Sequence, residues 1–299
     1  MPFDALATVA PAELPSALVS ASTTSGRPLL VAGGQPRPAV VLLDFVAQSV
    51  TALPVSLLDE AAAVVAAMTT EPDADRQTAI NRMVADLVYA GVWEKLSVLY
   101  VFAAHDNQAA LLNWIDPAGT VALEVNSPTF TTDRGYTGDG VSAYIDTQQV
   151  WSTLAGTSQN DVHVGGYFRW TGSTNGGLGT AGSANVGVSR SAGNMLSRLN
   201  NATVVTADAV PGSAGTHLAL SRSLAASFDR YIDGAAVSAG VQTSSAPPAS
   251  NLCGLRANTA YATSVCSIRA LHAGVALTAA EIFALRNALQ TYMATIGAS

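Results

Sequence analysis

The stretch Ser227-Phe-Asp-Arg-Tyr-Ile-Asp-Gly-Ala-Ala-Val237 constrains the fold more than any other part of this chain. An aromatic and β-branched run meets Asp233-Gly234, and a second short run follows. A two-residue turn needs positive φ at both central positions, which glycine takes freely and aspartate tolerates. The stretch therefore predicts a β-hairpin. Similar signals on either side place it in the middle of a sheet.

The surrounding texture agrees. From Val121 helical periodicity disappears, and short strands recur between turn signals, the pattern of an all-β sandwich. Val141, Ala143 and Ile145 alternate with Ser142, Tyr144 and Asp146. Val162, Val164 and Phe168 share one parity, and His163, Tyr167 and Arg169 the other. Period-two alternation sends these sets to opposite faces of a strand. The glycine-rich run from Thr171 to Ser183 lacks a Gly-Lys-Ser/Thr ending and a following helix, so it reads as a mobile surface loop, not a phosphate loop. At the end, Thr278-Ala-Ala-Glu281 forms a capping box. Behind it, Ile282, Leu285, Leu289, Tyr292, Met293 and Ile296 make one apolar stripe, so a single amphipathic helix closes the sandwich.

Ahead of Val121 the chain divides again. Residues 1–38 carry Pro2, Pro11, Pro15, Pro28, Pro36 and Pro38 and read as an extended arm. Leu14, Leu18, Leu29 and Leu30 leave two readings open: an arm packed on its own body, or an anchor that orders on a partner. Residues 39–118 read as a small helical collar. Leu57–Met68 predicts a helix with an acidic first turn. Ile80, Met83, Val84, Leu87 and Val88 form the stripe of a second helix ending near Gly91. Asp106 or Asn107 caps a third, Gln108 to Trp114. Residues 119–299 are the sandwich, and a piece starting near Val121 is expected to fold alone.

The net charge of −7 and the 14 basic residues, none in a run, argue against a nucleic-acid partner. Met1–Ala10 lacks the start of a signal peptide, and the apolar runs are too short to span a bilayer. The expectation is a protein made and assembled in the cytoplasm without membrane insertion. Cys253 and Cys266 fall in predicted strands close in sequence, as two buried thiols or as a pair.

Several of these segments resemble a known family. Phe228–Gly234, Asn251-Leu-Cys-Gly-Leu255 and Cys266–His272 leading into Ala276–Ile282 resemble the second half of laminin-G-like, concanavalin A-type jelly rolls. Ser127–Thr147, Ala90-Gly-Val-Trp-Glu-Lys-Leu96 and Asn113-Trp-Ile115 look like a narrower group: jelly-roll proteins of tailed phages, prophages and gene transfer agents. The resemblance covers residues 76–297. It implies a mainly β protein, a concanavalin A-like jelly-roll sandwich with a small helical region and an extended N-terminal arm. It also implies a virion component, such as a head fibre or spike that touches host-surface polysaccharide. A capsid decoration protein or a tail appendage without a glycan ligand is the alternative. Other virion proteins, bound through the N-terminal region, and host glycan are the expected partners.

Catalytic patterns are missing from the sequence. Retaining glycoside cleavage needs two carboxylates about 5 Å apart, but Glu13, Glu60, Glu71, Glu94, Glu124 and Glu281 show no Glu-x-Asp-x-x-Glu spacing. His105, His163, His217 and His272 are scattered one per element, which argues against zinc. No enzyme is expected; a polysaccharide-degrading enzyme, with an aspartate pair assembled in space from residues such as Asp133, Asp139 and Asp146, is the third alternative. Calcium stays open through the loop carboxylates Asp139, Asp146 and Asp161. A glycan would meet aromatic faces beside polar hydrogen-bonders; Tyr144, Trp151, His163, Tyr167 and Trp170 are the candidates, with core packing the competing reading for the tryptophans.

Overall fold

The structure, a computed structural model, describes residues 57–170, 176–181, 185–212, 215–257, 260–261 and 266–298. The arm at 1–38 and the start of the expected collar lie outside these residues. The described residues from 57 to 298 form one compact unit.

Helix α1 (Asp59–Ala66) opens the described chain, followed by α2 (Ala74–Tyr89). Asp73 caps α2 by accepting the Arg76 amide at 2.8 Å. Ile80, Met83, Val84 and Leu87 are buried as expected. Val88 is not: eight positions on, at about 100° per residue, it has turned some 80° away from Ile80 and is half-exposed. Gly91, at φ +65°, ends the helix. Strand β1 (Leu96–Val101) and a single turn, α3 (Asn107–Ala110), come next, the turn capped by Asp106.

The strands that follow are β2 (Leu123–Val125), β3 (Thr129–Thr131), β4 (Gly135–Thr137), β5 (Tyr144–Val150), β6 (Val162–Trp170) and β7 (Gly176–Thr180). Then come β8 (Val186–Ser191), β9 (Asn194–Leu199), β10 (Val205–Ala209), β11 (Gly215–Arg222), β12 (Asp229–Ile232) and β13 (Ala235–Ala236). β14 (Asn251–Gly254), β15 (Arg256–Ala257), β16 (Ala260–Tyr261), β17 (Cys266–Gly274) and α4 (Ala279–Thr295) complete the chain. Two antiparallel sheets make the sandwich. One runs β13-β12-β11-β6-β17-β4-β3, with β1 also paired to β17; the other runs β10-β9-β8-β7-β14-β5-β2. The mainly β, jelly-roll-like sandwich expected from the sequence is present. No helix among the described residues is long and apolar enough to cross a membrane.

Three expectations need correction. The Asp233-Gly234 hairpin forms, with φ of +50° and +79°, but β13 is an edge strand, so the hairpin closes a sheet instead of lying inside it. The 118/119 boundary does not separate a collar from a sandwich: β1 pairs with β17 from Leu96↔Gly274 to Val101↔Ala270. The apolar run at Leu96 is thus a strand of the larger sheet. Finally, Gly176–Thr180 of the expected loop is the buried strand β7. A Cβ on Gly177 would overlap the Val188 carbonyl, and one on Gly176 would overlap Cys266. Glycine is used there for close backbone approach.

Buried arginines join the layers. Arg230 on β12 crosses the core to Ser197 Oγ (2.6 Å), to the Met195 and Ala207 carbonyls and to Asp208 Oδ2 (2.5 Å). Arg222 on β11 donates to the carbonyls of Leu199, Leu224, Ala225, Ser227 and Gln242. α4 starts at the expected capping box: Thr278 Oγ1 accepts the Glu281 amide, and Glu281 Oε2 accepts the Thr278 amide at 2.8 Å. Lys95 Nζ lies 2.6 Å from Glu281 Oε1. Ile282, Leu285, Leu289, Tyr292 and Met293 are buried, and α4 packs beside α2, with Trp114 edge-on to Tyr292 and Arg76 reaching the Tyr292 hydroxyl.

Candidate functional site

Four of the five residues expected to meet a glycan are inside the protein. Trp151 is buried, its Nε1 donating to Asn200 Oδ1 at 2.8 Å. Trp170 is buried against Phe168, with ring centroids 5.3 Å apart. His163 is fully buried, and its Nδ1 lies 2.5 Å from the Val275 carbonyl oxygen. Tyr167 is buried beside Gly215, where a Cβ would overlap its ring. The parity reading placed His163 and Tyr167 correctly on the face opposite Val162 and Val164. That face is not open to solvent, however: α4 covers it, and Glu281 and Arg286 of that helix act electrostatically on His163 and His217. Tyr144 alone stays half-exposed, with the Arg256 guanidinium over its ring at 4.7 Å.

The three aspartates are engaged with backbone in separate places. Asp139 Oδ1 accepts the amides of Val141, Ser142 and Ala143 at 2.8 to 2.9 Å, and these bonds hold its carboxyl down to about 2. Asp146 accepts the Gln148 amide and the Asn251 side chain. Asp161 accepts the Ala276 amide at 2.8 Å and so fixes the link into α4. They do not converge on one point. Among the described residues, no group of three His, Cys, Asp or Glu side chains is arranged to hold a metal. Cys253 and Cys266 are free buried thiols, each pushed up to about 12 by burial.

The surface left for recognition is the outer face of the seven-stranded sheet. Its register aligns Asp146, Cys253, Gly179, Gly187 and Arg198 across neighbouring strands. A second row runs Gly177, Ser189, Leu196 and Thr206. Ile145, Leu178 and Val188, of opposite parity, point into the core and are buried. Tyr144, Asp146, Ser189, Ser191, Leu196 and Arg198 are half-exposed around the glycine floor. Arg198 is held by no protein group at Nε, which is buried, and burial lowers its pKa. This face can offer hydroxyls, a guanidinium and one aromatic edge to a polar ligand.

No family model and no curated protein matches the chain. Solved structures do. Botulinum neurotoxin type C, in a structure whose subject is cell entry dependent upon interaction with two ganglioside molecules, aligns at TM-score 0.50 with 11% identity, over 68% of this chain and 53% of that one. A mutant Trypanosoma rangeli sialidase aligns at 0.49 with 12% identity, over 72% and 39%. Domain 4 of an arabinanase from Geobacillus stearothermophilus, solved with arabinotriose, aligns at 0.40 with 15% identity, over 64% and 98%. The chain spans about half the toxin chain and less of the sialidase. The likeness is one of fold.

Arg198, Arg256 and Ser189 went unnoticed in the sequence. The alternation of Val186 and Val188 with Gly187 and Ser189 carried a signal for Ser189. Nothing local marked the arginines, because their neighbours come from distant strands.

Proposed function

We propose that this chain is a non-enzymatic adhesion component of a phage-like particle, a head fibre or spike whose sandwich contacts host-surface polysaccharide. The particle assignment, and with it a location on a virion assembled in the bacterial cytoplasm, rests on the sequence likeness over residues 76–297. The glycan assignment rests on one observation: the glycine-floored, half-exposed polar face of the seven-stranded sheet, edged by Tyr144 under Arg256. Sugars are bound by aromatic rings beside hydrogen-bonding groups, and this face supplies the Tyr144 ring edge beside hydroxyls and guanidinium groups. A sandwich of this fold in a toxin dependent upon gangliosides for cell entry is in keeping with that reading. Asp139 and Asp161 hold loop backbone, Asp146 sits in β5 bonded to Gln148 and Asn251, and the ligand contact is assigned without calcium.

A glycan array probed with the folded full-length chain tests the reading. Binding to a restricted set of glycans, weakened tenfold or more by Tyr144→Ala, is the expected result. Uniform blanks on folded protein would overturn it and favour a cement role on the particle.

A further inference from the structure

Arg269 differs from the other buried arginines. Arg222 and Arg230 are saturated by carbonyls, hydroxyls and a carboxylate. Arg269 is 1% exposed, yet its Nε and Nη1 are buried with no hydrogen-bond partner. It sits on a bulge: Ile268 pairs with Phe168 and Ala270 with Tyr167, leaving Arg269 as the extra residue. The bulge also lies where β17 passes its other edge from β4 to β1. Gly135 fits against the Ile268 carbonyl at that point, and a Cβ there would overlap it.

The groups that act on Arg269 are Arg169, Tyr167 and Arg134, with no carboxylate among them. Burial, then Arg169 and Arg134, bring its pKa down to about 10, while Tyr167 opposes them. Arg286 on α4 also acts on Tyr167; its Nε is buried and unpartnered, while its Nη1 donates to Asn287 Oδ1 at 3.0 Å. Asp233 also acts on Tyr167, but its Oδ1 already accepts the His217 amide at 2.9 Å. Arg134 donates to the Gly297 carbonyl; it and Arg169 are exposed. An unpaired buried guanidinium costs several kcal/mol unless an anion answers it. In a chain of net charge −7, a local excess of arginine is an exception.

We propose that the buried Arg269 guanidinium beside Tyr167 is an anion site that takes the oxyanion of a sulfate, phosphate or carboxylate group. Guanidinium forks match such oxyanions bidentately, and the exposed Arg134 and Arg169 draw the anion in. The site is on the other sheet from Tyr144 and stands independently of the glycan reading. The oxyanion can belong to a free inorganic ion or to the acid group of a saccharide.

Thermal unfolding of the full chain decides it, with sodium sulfate, sodium glucuronate and sodium chloride compared at equal ionic strength. Sulfate is expected to raise the wild-type Tm by about 5 °C or more near 100 times its Kd, and Arg269→Met is expected to lose that increment. A matching rise with glucuronate assigns the site to saccharide acids as well, and a rise with sulfate alone assigns it to inorganic anions. Equal responses from wild type and Arg269→Met, or no rise over chloride in the wild type, overturn the proposal. Should Arg269→Met fail to fold, the wild-type Arg269 Nε–H resonance serves instead: a shift on adding sulfate supports the site, and a constant position overturns it.

Discussion

His217 Nε2 and His272 Nε2 lie 2.8 Å apart, and both rings are fully buried. One nitrogen must donate and the other accept, so the neutral rings hold opposite tautomers. His163 stacks on His272 from the other side, with centroids 5.3 Å apart. Three imidazoles on β6, β17 and β11 thus form a row under α4. A proton added to any of them would place a charge in apolar surroundings beside another ring.

This row sets the acid limit of the fold. Burial pushes His163 down to about 4 and His217 to about 3, and holds His272 well below its ordinary value. In the unfolded chain all three titrate near 6.5. The unfolded state therefore binds more protons below that pH, and folded-state stability, complete above about 6.5, falls as pH drops toward 4. Each histidine contributes up to about 1.4 kcal/mol per pH unit across that window. Urea midpoints at pH 7.5, 6, 5 and 4 should show the decline starting above pH 5, before free carboxylates titrate. Replacing His217 and His272 with Phe should remove about two-thirds of the slope. An unchanged slope would show that the row does not control acid sensitivity.

Arg230 should behave as a bolt between the sheets. Arg230→Met removes its donors to Ser197, Met195, Ala207 and Asp208 and leaves those acceptors in or beside the core. A loss of about 3–5 kcal/mol is expected from denaturant unfolding. A loss under about 1 kcal/mol would place the joining energy elsewhere.

The tryptophans and Tyr144 should separate cleanly. Trp151→Ala should cost about 3–5 kcal/mol of stability, because the ring is buried and its Nε1 is bonded to Asn200. Tyr144→Ala should alter stability little while reducing glycan binding. Paired melting and binding curves check both, and a Trp151→Ala protein with native stability would reopen its assignment to the core.

A piece starting at Val121 should fail to fold, contrary to the expectation from sequence. It lacks β1, and with it the partner of residues 270–274, as well as α2, whose Arg76 reaches Tyr292 and pairs with Asp133 at 2.7 Å. A piece starting at Ala52 should unfold cooperatively, since the described residues from 57 onward form one compact unit. Circular dichroism melts of the two pieces are the measurement.

The features readable in sequence were those set by near neighbours. Asp233-Gly234 fixes its turn through its own φ preferences, and Thr278 with Glu281 caps α4 within one turn of helix. Alternation put His163 and Tyr167 on the correct face of β6. Whether that face met water depended on a helix more than a hundred residues away, and alternation carries no trace of that. The same holds for β7: a run of glycine reads as a loop until the strands it allows to approach are known. Arg269 looked like an ordinary strand residue because the bulge around it depends on the pairing of β17 with β6.

The pairing of Leu96 with Gly274 also orders events in time. β17 is the strand that β1, β4 and β6 all require, and it lies close to the end of the described chain. A ribosome delivers β1 long before β17 exists. Until then the apolar edge of β1 has no mate, and closing so long a loop is entropically costly and slow. The larger sheet therefore cannot be completed until β17 has been made, and the nascent chain must keep its front strand from pairing with other copies while it waits.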